Sequence, residues 1–223
     1  GMLFALPLAE NDSIINIKGE LQSLSYLKLT LSSLREFGIE IDSSDMRCIK
    51  IKGKQTYKKR EMQVEGDYSN AAFFEALNML GGQVTVEGLS EVSLQGDRVY
   101  KELFLKLREE NSEISLADCP DLGPILFGLA AAGNGALFTN TKRLKIKESD
   151  RSLAMQTELK KFGINVLVEE NRVIIEKGIL KTPNEILCGY NDHRIVMALS
   201  VLCSLVGGTV SGANAVSKSY PSF

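Results

Sequence analysis

Tryptophan is absent from the 223 residues of this chain, histidine occurs once, and only 7% of the residues are aromatic. So few rings leave no stacking platform for single-stranded nucleic acid. Neither sign of charge is in excess: 26 Lys plus Arg face 28 Asp plus Glu, a formal net charge of -2. No basic field is available for a duplex, so nucleic acid is not an expected partner. Long apolar runs are missing too. The stretch from Ala198 to Val206 is about half of the roughly 20 residues that span a bilayer, so no membrane partner is expected either. The four cysteines, Cys48, Cys119, Cys188 and Cys203, lie far apart with no C-x-x-C spacing. With a single histidine this predicts reduced thiols, a cytoplasmic location and no zinc site. Gly1 before Met2 reads as an expression remnant, and no charged n-region of a signal peptide follows it.

What the chain does have is internal repetition. One kind of segment runs from a polar start through an aliphatic body to small residues and a strand-like end: Tyr68 to Gly88, Cys119 to Asn140, and Tyr190 to Gly212. A second kind carries Leu-(Arg/Lys)-x-Phe-Gly-Ile before its strand, from Tyr26 to Ile41 and from Arg151 to Val168. A degenerate copy lies between Val99 and Leu116, where Glu110 and Asn111 replace the Phe-Gly. Apolar residues three and four apart, such as Met155, Leu159 and Phe162, set a helical period that Gly163 ends. Each segment is expected to be a helix followed by a strand. The implied unit, βαβαββ, is used about two and a half times and suits pseudo-symmetric α/β subdomains. Residues 2 to 19 match only the tail of a first-kind segment, so the chain is expected to begin inside a repeat. Lys50 to Arg60 holds six cations and no carboxylate, and precedes the strand expected to enter the next copy. The domain boundary is placed near residue 64.

Two helix starts break an electrostatic preference. A helix N-terminus carries about half a positive charge, which disfavours cations in the first turn by roughly 0.3 to 1 kcal/mol. Yet in Lys147-Glu148-Ser149-Asp150-Arg151, with Ser149 as the expected N-cap, Arg151 falls in the first turn. In Asn191-Asp192-His193-Arg194, with Asn191 or Asp192 as cap, both His193 and Arg194 do. Free N–H groups, a dipole and a guanidinium converging on one place make an anion site, and a bound carboxylate or phosphate would offset the local cost. Taken singly, the Lys147 to Arg151 run reads as a solvated charge run. Its recurrence at equivalent helix ends favours function. At Cys119-Pro120-Asp121 no such conflict exists. There Pro120 suits a first helical position and Asp121 complements the dipole, so Asp121 is open between cap and catalytic carboxylate.

These two charged motifs in this order, with Lys218 in Ser217-Lys218-Ser219-Tyr220-Pro221, Gln95-Gly96-Asp97 and Pro120-Asp121, resemble the EPSP synthase branch of the enolpyruvyl transferase family. The likeness runs over essentially the whole chain. It implies an inside-out α/β barrel of repeated βαβαββ units, helices inside and sheets outside, of which this chain is the second half, truncated at the N-terminal half. Residues 1–64 would then be the last unit of an otherwise missing domain and residues 65–223 most of the second. The family's Ser-Ser-Gln motif would lie just before Met2, and its closing helix just after Phe223.

The resemblance also implies chemistry. In the family, the 5-hydroxyl of shikimate 3-phosphate adds to C2 of phosphoenolpyruvate, and the tetrahedral intermediate expels phosphate, with no metal or cofactor. Position by position, Arg151 and Arg194 would clamp the enolpyruvate carboxylate, as planar bidentate donors can. Lys218 would hold phosphate, Asp121 would be base and ring ligand, Glu148 the proton donor and acceptor at C3, and Lys147 a neighbour of both substrates. His193 would orient Glu148 or the leaving phosphate, and Arg143 would touch the shikimate ring. Ser23 and Tyr26 would bind the 3-phosphate. Here the family's Ser-x-Pro-Tyr is Ser23-Leu24-Ser25-Tyr26, without the proline that preorganises the turn, and capping or packing is their bland alternative. Without the missing first half of the enzyme, its remaining partner, the chain is expected to be inactive alone. The competing readings are a UDP-N-acetylglucosamine enolpyruvyl transferase and a non-catalytic substrate-binding module.

Overall fold

The computed structural model describes residues 1–223, which fall into two compact units. One comprises Gly1–Glu65 with Glu91–Gly96, the other Gly66–Ser90 with Asp97–Phe223.

In the first unit a short helix α1 (Met2–Ala5) leads to β1 (Ser13–Asn16), α2 (Leu24–Glu36), β2 (Ile41–Asp42) and β3 (Cys48–Ile51). The strands form an antiparallel sheet ordered β1-β3-β2, with Ser13 and Ile41 both opposite Ile51. Period-2 alternation buries Ile49 and Ile51 and turns Lys50 outward. Helix α2 buries Leu31 and Leu34 and ends where Gly38 takes a left-handed φ of 79°. That conformation is the stop expected of the Phe-Gly-Ile motif.

The second unit contains α3 (Tyr68–Met79), α4 (Tyr100–Lys106), β4 (Glu113–Ser115), α5 (Gly123–Ala132), β5 (Ala136–Thr139), α6 (Arg151–Lys161), β6 (Val166–Val168), β7 (Arg172–Ile175), β8 (Leu187–Cys188), α7 (His193–Val206) and β9 (Val210–Ser211). The run β4-α5-β5-α6-β6-β7 is one complete βαβαββ unit. Its sheet is ordered β4-β5-β7-β6, with β4 and β5 parallel and the remaining pairs antiparallel. The pair β8 and β9, also parallel and joined through α7, starts the same pattern again. Every residue from Gly123 to Ala131 in α5 is buried, as is most of α7. Helices apolar all round must sit in the middle of a core, and the sheets lie outside them.

The degenerate copy shows how a repeat survives substitution. Asn111 adopts a φ of 56° after α4, because asparagine tolerates the left-handed region that Gly38 and Gly163 occupy in the sister copies. Two expected strands do not form. Residues 83–88, after α3, carry no ladder, because the side-chain amide of Asn78 takes both backbone groups of Val84: Nδ2 donates to the carbonyl at 2.7 Å and Oδ1 accepts from the amide at 2.7 Å. Residues 60–66, after the lysine-rich stretch, form no strand either. The Gly66 amide donates to the Gly88 carbonyl at 3.0 Å. All four cysteines are free thiols, and no helix is long and apolar enough to cross a membrane.

Candidate anion-binding site

The two cationic helix starts meet in the second unit. Helix α6 begins at Arg151, and its cap is Asp150, whose carboxylate accepts from the Leu153 amide at 3.1 Å. Ser149, expected to be the cap, instead donates its hydroxyl proton to Asp192 at 3.0 Å. A carboxylate is the stronger acceptor for an unpaired helix N–H. At the start of α7 the cap is Asp192, which accepts from the Arg194 amide at 3.0 Å. Tyr190 and Asn191 before it both have a left-handed φ of 51°.

Asp192 also carries the ion pair that joins the two starts. Arg151 donates from Nε to Asp192 Oδ2 at 2.9 Å, from Nη1 to Asp121 Oδ1 at 2.8 Å and from Nη2 to Glu148 Oε2 at 2.6 Å. Three carboxylates thus share one guanidinium that is 1% exposed. Asp121 in turn receives Lys147 Nζ at 3.0 Å and Arg194 Nη2 at 3.4 Å, while that same Nη2 donates to Ser69 Oγ at 2.9 Å. Asp121 does sit in the first turn of the 3-10 helix Pro120–Leu122, and its carboxylate is also engaged by side-chain cations. Three cations, Lys147, Arg151 and Arg194, face three carboxylates, Asp121, Glu148 and Asp192. The unfavourable cations at these helix starts are balanced by the protein's own acids.

The pairing sets the proton affinities. Burial pushes Asp121 up, but Arg194, Lys147 and Arg151 outweigh it and hold the carboxyl well below the usual range. Burial likewise raises Asp192, and its hydrogen bonds and proximity to Arg151 bring it below its ordinary value. For His193, burial and then the Arg194 charge lower the pKa, favouring the neutral ring. Its Nδ1 is buried without a hydrogen-bond partner and 4.0 Å from Asp192 Oδ1.

The remaining expected residues are distributed as follows. Lys218 ends a 3-10 turn, Ala213–Lys218, and donates from Nζ to the Asn191 carbonyl at 2.6 Å, at the mouth of the α7 start. Arg143 lies half-buried in the turn Lys142–Ile146 ahead of Lys147. Glu148, with its side chain 40% exposed, is the most open of the three acids on Arg151. Ser23 and Tyr26 belong to the first unit, where Ser23 immediately precedes α2 with a φ of 53° and Tyr26 is exposed. Two members of the cluster do not follow from the sequence reading: Asp192 beyond its capping role, and Ser69. A signal existed in the stacked first-kind segments, since Asp67 caps α3 from the same place that Asp192 caps α7, accepting from Ser69 at 2.8 Å. No group of three or more His, Cys, Asp or Glu side chains is arranged to hold a metal ion.

Comparison with known proteins gives this arrangement a family. The family described as EPSP synthase (3-phosphoshikimate 1-carboxyvinyltransferase) matches residues 1–223. The chain belongs to the EPSP synthase family. The 3-phosphoshikimate 1-carboxyvinyltransferases of Clostridium kluyveri and Clostridium acetobutylicum are each 40% identical to it, with all of this chain matched against 57% and 56% of theirs. An EPSP synthase structure from Acinetobacter baumannii superposes with a TM-score of 0.77 at 23% identity, over 99% of this chain and 57% of that one. The chain thus spans a little over half the length of the relatives it matches.

Proposed function

We propose that this chain supplies one wall of an enolpyruvyl transferase site, where phosphoenolpyruvate donates its carboxyvinyl group to the 5-hydroxyl of shikimate 3-phosphate. In this reading residues 1–64 are the last unit of one domain, residues 65–223 are most of the second, and the length of the relatives beyond the match supplies the opposite wall. The observation that carries the reading is the convergence of Lys147, Arg151, Arg194, Asp121 and Glu148 on one spot, from three separate segments of the sequence, with Asp121 30 residues before Arg151.

The geometry divides the labour. Arg151, buried and held by three acids, sets the positions of Asp121 and Glu148 and is the least able to reach a ligand. Lys147, whose side chain is 23% exposed, and Lys218 are more open than Arg151, and with Arg194 they take the carboxylate and phosphate charges. In its protonated form Glu148 delivers a proton to C3 of the bound enol as the 5-hydroxyl oxygen of the shikimate ring bonds to C2. It recovers a proton from C3 when the C2–O bond to phosphate breaks, so the vinyl group is regenerated on the new oxygen. Asp121, held ionised by three cations, is a weak base as it stands. When ligand anions draw Lys147 and Arg194 away, its proton affinity rises and it can accept the hydroxyl proton.

The test is phosphate release from phosphoenolpyruvate plus shikimate 3-phosphate, by the chain alone and by the chain joined to the N-terminal half of a clostridial relative. We expect activity only in the joined protein, and there Glu148→Gln should lower turnover by about 10² to 10⁴-fold with a smaller effect on affinity. Turnover with a UDP-sugar in place of shikimate 3-phosphate would overturn the substrate assignment.

A further inference from the structure

Helix α6 carries a second charged centre that the proposed chemistry does not use. Glu158 lies about two turns beyond Arg151, roughly 10 Å along the same helix, and is completely buried. A buried carboxylate persists only when its charge and lone pairs are fully engaged. Here Oε2 accepts from the Cys188 amide at 2.9 Å and from Lys161 Nζ at 2.9 Å, and Oε1 accepts from the Tyr190 hydroxyl at 3.0 Å. Lys161 also donates to the Ile186 carbonyl at 3.1 Å. The whole stretch from Ile186 to Tyr190 is therefore tied to Glu158 and its lysine.

The same stretch is tied to α6 a second time, through Asp192 and Arg151. Between the two ties stand Tyr190 and Asn191, both left-handed. Left-handed backbone is tolerated by asparagine but uncommon for a tyrosine, and at Tyr190 it persists only where the surroundings enforce it. The carbonyl exposed by this turn is that of Asn191, and it receives Lys218 Nζ at 2.6 Å. On the other side of the turn only glycine fits at position 189, since a Cβ there would stand 2.5 Å from Val196 Cγ2 and 2.6 Å from the Ser211 carbonyl oxygen.

We propose that Glu158, acting through Tyr190, is a positioning residue that holds the Tyr190–Asn191 turn in its strained form and so fixes the ammonium group of Lys218. This rests on Lys218 as a phosphate ligand only for its functional consequence; the mechanical claim stands apart from it. Glu158 touches no ligand in this scheme. Its carboxylate holds one end of the turn while Asp192 holds the other, and the Asn191 carbonyl between them presents the lysine.

The test uses the 223-residue chain and the variants Glu158→Gln and Tyr190→Phe, the second removing one hydroxyl so that a folded protein is retained if the first variant does not fold. Acetylation by an N-hydroxysuccinimide ester, followed by mass spectrometry, reads the freedom of each lysine. We expect Lys218 to label about fivefold faster or more in Tyr190→Phe, through local opening of the turn, with the rate at exposed Lys101 unchanged. An unchanged rate at Lys218, or an equal rise at Lys101, overturns the proposal. Titration with phosphoenolpyruvate supplies the second arm. Tyr190→Phe should weaken binding several-fold in the wild-type background and have no effect beside Lys218→Ala, the non-additivity expected of two residues acting through one group. Equal losses in both backgrounds overturn the proposal. A wild-type chain that binds no phosphoenolpyruvate counts against the proposed function, and the labelling rates then decide the positioning role by themselves.

Discussion

Arg151 is buried against three carboxylates, those of Asp192, Asp121 and Glu148. Replacing Asp192 by alanine would leave that guanidinium buried with two carboxylates instead of three. Breaking a buried pair by removing one partner costs about 3 to 5 kcal/mol, and Asp121 and Glu148 place this case near the lower figure. Asp192→Asn, which keeps the cap on α7, should cost about 1 kcal/mol less. Urea unfolding of the two variants measures both. His193 makes a separate prediction because it is the single histidine. Its folded pKa lies below the ordinary 6.5, so the unfolded chain binds the proton more readily. Its contribution is fully present above pH 6.5 and is lost as the pH falls through the folded value. Stability should therefore decline between pH 6.5 and 5 in the wild type and much less in His193→Gln, as read from urea midpoints. At this scale the sequence was informative about the cations, since a helix start makes a misplaced charge visible. It was silent about the distant groups that neutralise them, although Glu148 lies only three residues from Arg151. The acids meeting Arg151 and the hydroxyl meeting Arg194 come from as far as 41 and 125 residues away, and no local period encodes such pairings.

Among the elements, helices were more legible than strands. The apolar spacing of α6 and the Gly163 stop follow from side-chain period and backbone freedom, both local properties. Whether residues 83–88 join a sheet depends on what reaches their backbone, and Asn78 reaches it before any strand does. Two glycines test the element scale in opposite directions. Gly128 sits in the middle of α5, where an added methyl would meet only Leu202 at ordinary contact distances of 3.7 Å and above. Gly128→Ala should raise stability by about 0.5 to 1 kcal/mol through helix propensity. Gly135, by contrast, enters β5 with a φ of 74°, and a methyl there would lie 2.5 Å from the Ile175 carbonyl oxygen. Gly135→Ala should destabilise by more than about 1 kcal/mol, and thermal melts of the two variants should move apart.

For the whole molecule, the equal number of acids and cations in the cluster has a kinetic meaning. Electrostatic steering needs an unbalanced field, and its signature is an association rate that falls steeply with salt. Six groups that cancel one another project little field beyond a Debye length, so an approaching anion is not drawn in by them from afar. Stopped-flow association of phosphoenolpyruvate should then change by no more than about threefold between 20 and 200 mM salt, whereas a tenfold fall would point to uncompensated cations elsewhere. Arrival and capture become separate events. On the proposed function the ligand would diffuse in unassisted, and its acid groups would then have to take Lys147 and Arg194 from Asp121 one contact at a time. Entry to such a site behaves like the exchange of one counter-ion for another, paced by how quickly a carboxylate inside the protein lets go.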